Sequence, residues 1–245
     1  MQNAKLIVAV LFLFAFILDA NAEDGTKKGW QRSALFGLNV NQGNSDVTLG
    51  SLGLKIEREK SKDIWLFEAE GSQGQTDGET DVQYLKGKAH YKHLLNPMRY
   101  FFIGLDGSHD AIADVEYRFI LSPALGAFIL KDDKFRLSIE AGPAVIAEKL
   151  GVNEQEDLAV RVADKFDWQI SPTSKFFQNV DIISVIDDPS DYIVDAKLGI
   201  EAGITDGLSL VLSLTDRYNN QPADDNKKND LALISSLRVD MSSAS

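Results

Sequence analysis

The sequence predicts an all-β protein that folds as a closed antiparallel up-and-down transmembrane β-barrel of about twelve strands. Three observations support this fold class. From Trp30 onward, apolar and polar residues alternate with a period of two. Turn signals divide the chain at regular intervals. After residue 22, no apolar run is long enough to form a transmembrane helix, so a membrane role would have to use strands.

The first 22 residues have the pattern of a secretory signal. Lys5 supplies a positive charge, residues 6–18 form a thirteen-residue apolar stretch, and Ala20-Asn21-Ala22 matches a small-residue cleavage site. We therefore expect residues 1–22 to be removed. Residues 23–29 would form a short periplasmic lead-in, residues 30–241 the barrel, and residues 242–245 a C-terminal tail.

Alternation along residues 192–204 illustrates the strand pattern. Apolar side chains fall on one face, whereas the opposite face carries Asp195, Lys197 and Glu201 together with glycines. Residues 135–145 and 208–214 repeat the pattern. This period is that of a strand with one apolar and one polar face.

Eleven turn signals separate twelve strands, as expected for a bacterial barrel with an even strand number. They lie at residues 43–46, 60–63, 73–80, 95–97, 110–114, 131–133, 151–157, 171–173, 187–191, 205–207 and 219–230. Counted from the first, the even-numbered turns are short, and most odd-numbered ones are longer and acidic. Short periplasmic turns and longer outer loops are typical of outer-membrane barrels.

Aromatic residues concentrate at the predicted strand ends. Trp30, Trp65 and Trp168 lie on the short-turn side, while Tyr192 and Tyr218 lie at the opposite ends. This distribution resembles two interfacial girdles, in which amphipathic rings meet both headgroups and hydrocarbon. The alternative is that aromatic residues cap the strands of a soluble sandwich.

Charged residues occupy the face opposite the apolar one. With turns centred near Ile112, near residues 172–173 and at Asp206, hairpin register predicts three pairs of opposite sign. These are Asp106 with Arg118, Lys165 with Asp181, and Asp195 with Arg217, and Glu68 would lie near Lys86 and Lys88. A solvated sandwich face would also carry such pairs, but a polar lumen explains them together with the apolar outer face.

Twelve charged residues are therefore expected to line a lumen. They are Glu68, Lys86, Lys88, Asp106, Arg118, Glu140, Arg161, Lys165, Asp181, Asp195, Lys197 and Arg217. Asp164 does not fit this pattern, because it falls on the apolar face of the eighth strand. A bulge or register shift near Ala163 would turn it inward.

Composition excludes several classes of function. Lys and Arg number 25 against 37 Asp and Glu, a net charge of −12, which is the wrong balance for a general nucleic-acid binder. The absence of cysteine excludes disulfides, thiolate metal sites and a cysteine nucleophile. No pattern indicates a cofactor, a metal site or a catalytic residue.

Several short segments together resemble one bacterial family. They are residues 42–46 (QGNSD) at the first hairpin, Tyr117-Arg118, residues 137–143 (LSIEAGP) and the loop at 218–222 before Lys228-Asn229-Asp230. In order and spacing they are similar to the salt-induced outer-membrane protein family, a domain of unknown function, over residues 29–239. The resemblance implies an outer-membrane β-barrel, associated by name with osmotic or pH stress, without established catalytic residues.

Three functions stay open. The first is a narrow charge-lined pore in the bacterial outer membrane for a small solute or ion, linked to envelope or osmotic stress. The second is a non-conducting structural or stress-related envelope protein. The third is an outer-membrane lipid hydrolase, for which His109 near the outer rim would be the base, but Ser108 points the other way, so we expect no enzyme. Expected partners are outer-membrane lipid and lipopolysaccharide, the outer-membrane assembly machinery and periplasmic chaperones.

Overall fold

Twelve strands make up the fold in the computed structural model, which describes residues 29–41, 47–223 and 226–241. The expected leader, most of the lead-in, the QGNSD segment at 42–46 and the tail at 242–245 lie outside the described residues. The strands are β1 (Gln31–Asn41), β2 (Val47–Lys60), β3 (Asp63–Thr76), β4 (Glu79–Asn96), β5 (Arg99–Asp110), β6 (Val115–Lys131), β7 (Phe135–Leu150), β8 (Asn153–Ser171), β9 (Ser174–Val185), β10 (Tyr192–Thr205), β11 (Leu208–Asn219) and β12 (Asn229–Asp240).

These strands form one closed antiparallel barrel, in which each strand pairs with its neighbours in sequence and β12 returns to β1. The predicted fold class and strand number are therefore confirmed. The closing seam is short: it pairs five positions, from Ser33 with Asp240 to Gly37 with Ser236, whereas β1 and β2 pair eleven. Within the described ranges, no helical segment has the length and apolar character needed to cross a membrane.

Side chains alternate between the outside and the inside of the barrel, as β6 demonstrates. Phe119, Leu121 and Leu125 are 52%, 45% and 67% exposed, whereas Ile120 and Ala124 between them are buried. Successive strand residues point to opposite faces, so the exposed set lies outside and the buried set inside. The predicted period of two is confirmed, and many of the large aliphatic side chains lie outside.

Two apolar clusters fill part of the interior. One contains Ile120, Ala144, Ile146, Ala159, Ile183 and Val185, and the other contains Leu94, Tyr100, Phe102, Ala124 and Phe128. Tyr100 and Phe102 are almost completely buried. The interior is consequently a partly packed core rather than an open tube.

Asp164 stays on the outer face, so the expected bulge near Ala163 is wrong. The register of β8 against β9 is continuous from Ala159 with Val185 to Gln169 with Lys175. Gln178, which lies on the same outer face, donates from Nε2 to Asp164 Oδ2 at 3.1 Å. A hydrogen bond to a neighbouring side chain, rather than a change of register, accommodates the carboxylate.

Tyr100 depends on a glycine on the adjacent strand. Gly126 is its directly opposite partner, and a Cβ on Gly126 would lie 2.2 Å from the Tyr100 ring. A real Cβ cannot approach a ring this closely, so the ring occupies the space that the missing side chain leaves.

We predict that Gly126→Ala destabilises the barrel by about 1–3 kcal/mol, because the overpacked ring must move. Gly87→Ala is the matched control, since its Cβ would meet its nearest neighbour, the Glu68 carbonyl oxygen, at 3.9 Å. Urea-induced unfolding of the refolded proteins measures both. Equal loss of stability in the two variants would contradict the close approach.

The short turn between β6 and β7 is held by a single carboxylate. Asp132 Oδ1 accepts hydrogen bonds from the backbone N–H of Lys134 at 2.8 Å and of Phe135 at 2.7 Å. These two backbone donors lower the pKa of Asp132 below its ordinary value of 3.8, because they stabilise the charged form.

Because its folded pKa is lowered, Asp132 contributes stability above pH 3.8 that is lost as the pH falls through the folded value. Asp132→Asn should therefore be less stable than the wild type at pH 6, and the difference should shrink toward pH 3. Unfolding curves over this range measure it, with Asp133→Asn in the same turn as control. A difference that stays constant with pH would refute the assignment.

Candidate functional site: the charged lumen

Three ion pairs cross the interior between distant walls. Lys86 on β4 pairs with Asp195 on β10, six strands away in either direction around the ring. Arg217 Nη1 on β11 lies 3.3 Å from Asp110 Oδ2 on β5, which is also six strands away. Lys197 Nζ on β10 lies 3.3 Å from Glu70 Oε2 on β3. We call these the cross-lumen pairs.

An aromatic contact reinforces this closure. The guanidinium carbon of Arg217 lies 3.8 Å from the centre of the Tyr84 ring on β4. This is a cation–π geometry, in which the ring face attracts the positive charge. Side chains from β4, β5, β10 and β11 thus meet in the middle of the barrel and obstruct it.

A second network, the Glu140 network, is centred on one buried carboxylate. Glu140 is 6% exposed. It lies 2.7 Å from Lys92 Nζ and 3.0 Å from Arg161 Nη1, and the Tyr100 hydroxyl donates to it at 2.9 Å. Arg161 Nε also donates to Asp181 Oδ1 at 2.5 Å, and its guanidinium lies 4.8 Å from the Phe102 ring centre. The network joins β4, β5, β7, β8 and β9 through the interior.

Enclosed charges of this kind must be paired, because an isolated ion loses its hydration when it is buried. The lumen accordingly carries cations and anions in contact rather than a ring of one sign. A hollow of about 90 Å³, lined in part by Lys86, Asp195, Arg217, Lys227 and Asp230, is large enough for several water molecules.

The structure places all twelve predicted lumenal residues on the inward-facing positions of their strands. Eight of them are in the ion pairs above or in the pair that Arg118 makes with Glu148, namely Lys86, Arg118, Glu140, Arg161, Asp181, Asp195, Lys197 and Arg217. Glu68 and Lys88 face each other directly across β3 and β4, and Asp195 lies opposite Arg217, as predicted. That these residues line a conducting pathway stays a prediction.

Two predicted pairs are wrong, because in each the partner is displaced by two residues along the neighbouring strand. Asp106 lies opposite Ile120 instead of Arg118, because the register shifts between Ser108 and Asp110 and moves the turn centre one residue later. The Asp106 carboxylate instead lies 3.2 Å from His90 Nε2. Arg118 finds its acceptor on the other neighbouring strand, at Glu148.

Lys165 and Asp181 are likewise not opposite each other. Lys165 lies opposite Asn179, and Asp181 lies opposite Ala163. The turn between β8 and β9 closes between Ser171 and Ser174, so its centre lies before residue 173, the centre that the predicted pair requires. Arg161 lies two residues from Ala163 on the inner face of β8. Asp181 is therefore diagonally opposite Arg161 and binds it.

Several interior residues were missed by sequence reasoning. Lys92, Tyr100, Phe102 and Glu148 stand at inward-facing positions, yet each was overlooked because it lies near a strand end or in an apolar run. Strand parity alone would have placed them inside. Their partners on non-neighbouring strands could not have been found from hairpin register.

His109, the residue considered as the base of a hydrolase, lies near the end of β5 and contacts the backbone of β6. Its Nδ1 lies 2.9 Å from the backbone carbonyl oxygen of Glu116, so this nitrogen donates to a carbonyl. Among the residues that the structure describes, no group of three or more His, Asp or Glu side chains is arranged to hold a metal ion.

We predict that Glu140→Ala lowers the free energy of unfolding by about 3–5 kcal/mol, because Lys92 and Arg161 lose their shared buried acceptor. Glu116→Ala is the control. Glu116 pairs with Lys149, but its side chain is 58% exposed, so the loss there should stay below about 1 kcal/mol. Urea unfolding measures both, and equal effects would show that the Glu140 network is not a buried unit.

Comparison with known proteins adds a family and several similar structures. The chain is similar to the NanC porin, at a TM-score of 0.49 and 11% identity over 85% of this chain and 97% of that one. It is similar to the KdgM porin, at 0.47 and 5% identity over 86% and 98%. It is also similar to the translocator domain of autotransporter NalP from Neisseria meningitidis, at 0.45 and 12% identity over 97% and 95%.

No curated protein matches the chain. Residues 34–240, which include nearly the whole barrel from β1 to β12, match the family described as "Protein of unknown function, DUF481". The chain therefore belongs to the DUF481 family of proteins of unknown function.

Proposed function

We propose that this protein is a bacterial outer-membrane barrel that provides a narrow, charge-lined pathway for small ions or solutes. The cross-lumen pairs close this pathway in the state that the structure describes. The single observation that carries the proposal is the pair between Lys86 and Asp195, which joins opposite walls of a closed barrel.

The outer surface supports a location in a bilayer. Leu38, Leu125 and Leu158 are each more than 60% exposed, and similar aliphatic side chains surround the barrel. Soluble monomers rarely expose contiguous apolar patches larger than a few hundred Å². At one end Trp65 packs on Tyr91, with ring centres 4.4 Å apart, and at the other Tyr192 packs on Tyr218 at 5.6 Å. Aromatic residues at both ends are what interfacial girdles require.

The lumen supports a pathway for charged species. A permeating ion has to exchange its hydration for polar groups and then leave them. Lys86, Asp195 and Arg217 supply such groups around the small hollow, and each is held by another side chain rather than by the backbone. Separation of these side chains would open the lumen without breaking a strand pair.

In this proposal the leader is cleaved during export, periplasmic chaperones and the assembly machinery deliver the barrel, and lipid and lipopolysaccharide surround it. The link to osmotic or envelope stress belongs to the same proposal. Protein abundance before and after a shift to high salt would test that link.

A non-conducting envelope role is the second candidate. The two apolar clusters and the cross-lumen pairs together fill much of the interior, which favours a barrel that does not conduct. This alternative predicts no current through the purified protein under any salt.

Asp195→Asn should increase the unitary conductance in planar bilayers and shift selectivity toward anions, because Lys86 then loses its acceptor and points into the lumen unpaired. Asp133→Asn, which removes the same charge from a short turn, is the matched control and should behave as the wild type does.

Silent bilayers with both the wild type and Asp195→Asn would contradict the pathway and favour the structural role. Lipid hydrolysis that disappears on His109→Ala would revive the enzyme. A mature chain that stays in solution without detergent would contradict the membrane location itself.

A further inference from the structure

A hollow opens on the outer surface at the rim that carries the short turns. It has a volume of about 460 Å³ and lies where β2 turns into β3, beside the start of β1. Its lining residues are Trp30, Arg58, Lys60, Ser61, Asp63, Trp65 and Phe67. We call it the rim hollow, and it is separate from the charged lumen because these strand residues face outward.

Basic side chains that have no ion-pair partner among the described residues distinguish the rim hollow. Arg58 and Lys60 line it, and Arg32 lies on the same outer face of β1, one diagonal position from Arg58. The Nε atoms of Arg32 and Arg58 are buried and have no hydrogen-bond partner within residues 29–41, 47–223 and 226–241. In the same ranges, no carboxylate lies within 4.0 Å of the charged nitrogens of these three side chains.

Among the described residues, Asp63 is the carboxylate that lines the rim hollow, and it already has partners. Asp63 Oδ1 accepts from the Tyr91 hydroxyl at 2.6 Å and lies 2.9 Å from His93 Nδ1. Although Asp63 lies opposite Lys60 in the strand register, its Oδ1 contacts these two side chains of β4. Within the described residues, the terminal guanidinium nitrogens of Arg58 and the ammonium of Lys60 therefore line the hollow without a carboxylate partner, whereas the two Nε atoms are buried.

Aromatic rings form the apolar wall of the rim hollow. Trp30 and Phe67 have ring centres 6.2 Å apart, and Trp65 stacks on Phe67 at 6.4 Å. The Arg58 guanidinium lies 5.5 Å from the Trp30 ring centre. A ring stack beside fixed cations matches a ligand with an anionic head and an apolar tail.

We propose that the rim hollow binds the headgroup of an anionic phospholipid from the leaflet that surrounds the short turns. The phosphodiester oxygens accept hydrogen bonds from Arg58, Lys60 and Arg32, and the acyl chains extend along Trp65 and Phe67. Basic clusters at the edge of a membrane protein bind anionic headgroups in this way. The proposal goes beyond the ion pathway and needs only the membrane location, not conductance.

Native mass spectrometry of the detergent-solubilised barrel, titrated with phosphatidylglycerol or phosphatidylcholine, tests the site. The wild type should retain phosphatidylglycerol in preference to phosphatidylcholine. Arg58→Gln combined with Lys60→Gln should weaken phosphatidylglycerol binding roughly thirtyfold, since each basic residue near an anionic surface contributes about fivefold. Arg58→Lys should restore most of the binding when Lys60 is kept.

The matched control combines Arg99→Gln with Lys134→Gln, which removes two exposed charges from the same rim outside the rim hollow. This variant should bind as the wild type does. An equal loss in both double variants, or equal retention of the two lipids, would overturn the site. Competition by millimolar inorganic phosphate as strong as that by phosphatidylglycerol would show a soluble-phosphate site and overturn the lipid assignment.

Two further readouts keep the test independent of folding and of conduction. Heat-dependent gel mobility reports whether each variant is a folded barrel, and Lys60→Gln alone replaces the double variant if that one does not refold. A barrel that inserts into vesicles but shows no lipid preference contradicts this site and leaves the proposed pathway intact. A chain that does not insert at all contradicts the membrane location first.

Discussion

Closure of the barrel by the β1–β12 seam is the constraint on which the remaining structure depends. The seam pairs only five positions, yet it brings β10 and β11 opposite β4 and β5. Charged side chains on these walls are then enclosed together, and enclosed charges are tolerated only in contact with opposite ones. Lys86, Asp195, Arg217 and Asp110 meet in the middle because the ring of twelve strands is narrow enough for long side chains to span it.

Apolar side chains and ion pairs are not evenly distributed around the inner wall of the barrel. Apolar and aromatic side chains accumulate on β4 to β9, where Tyr100, Phe102 and Phe128 pack around the Glu140 network. Two of the three cross-lumen pairs, Lys86 with Asp195 and Arg217 with Asp110, join the remaining wall to this one. The packed rings position the buried charged side chains. Glu140 in turn accepts a hydrogen bond from the Tyr100 hydroxyl. A pathway through this barrel would therefore follow the charged side chains and avoid the packed clusters.

Two polar features interrupt the apolar outer surface in the part of the chain that the structure describes. Asp164 and Gln178 satisfy each other among aliphatic neighbours on β8 and β9. The rim hollow collects basic and aromatic side chains on β1 to β3. The first is a local hydrogen bond that limits the cost of a misplaced carboxylate. In the second, the Nε atoms of Arg32 and Arg58 have no hydrogen-bond partner among the described residues, and this observation motivates the proposed lipid site.

The sequence by itself determined the fold class, the strand number and the inner face on which the twelve predicted lumenal charges lie. Period-two alternation and turn residues act locally, so they can be read without coordinates, and Asp195 opposite Arg217 followed from one short turn. Only the tertiary structure decided which charges touch. The Asp106 and Lys165 pairings failed because shifts of one residue at two turns change every partner. The contacts of Lys86 with Asp195 and of Arg161 with Glu140 arise from closure and from side-chain length, which no hairpin register contains.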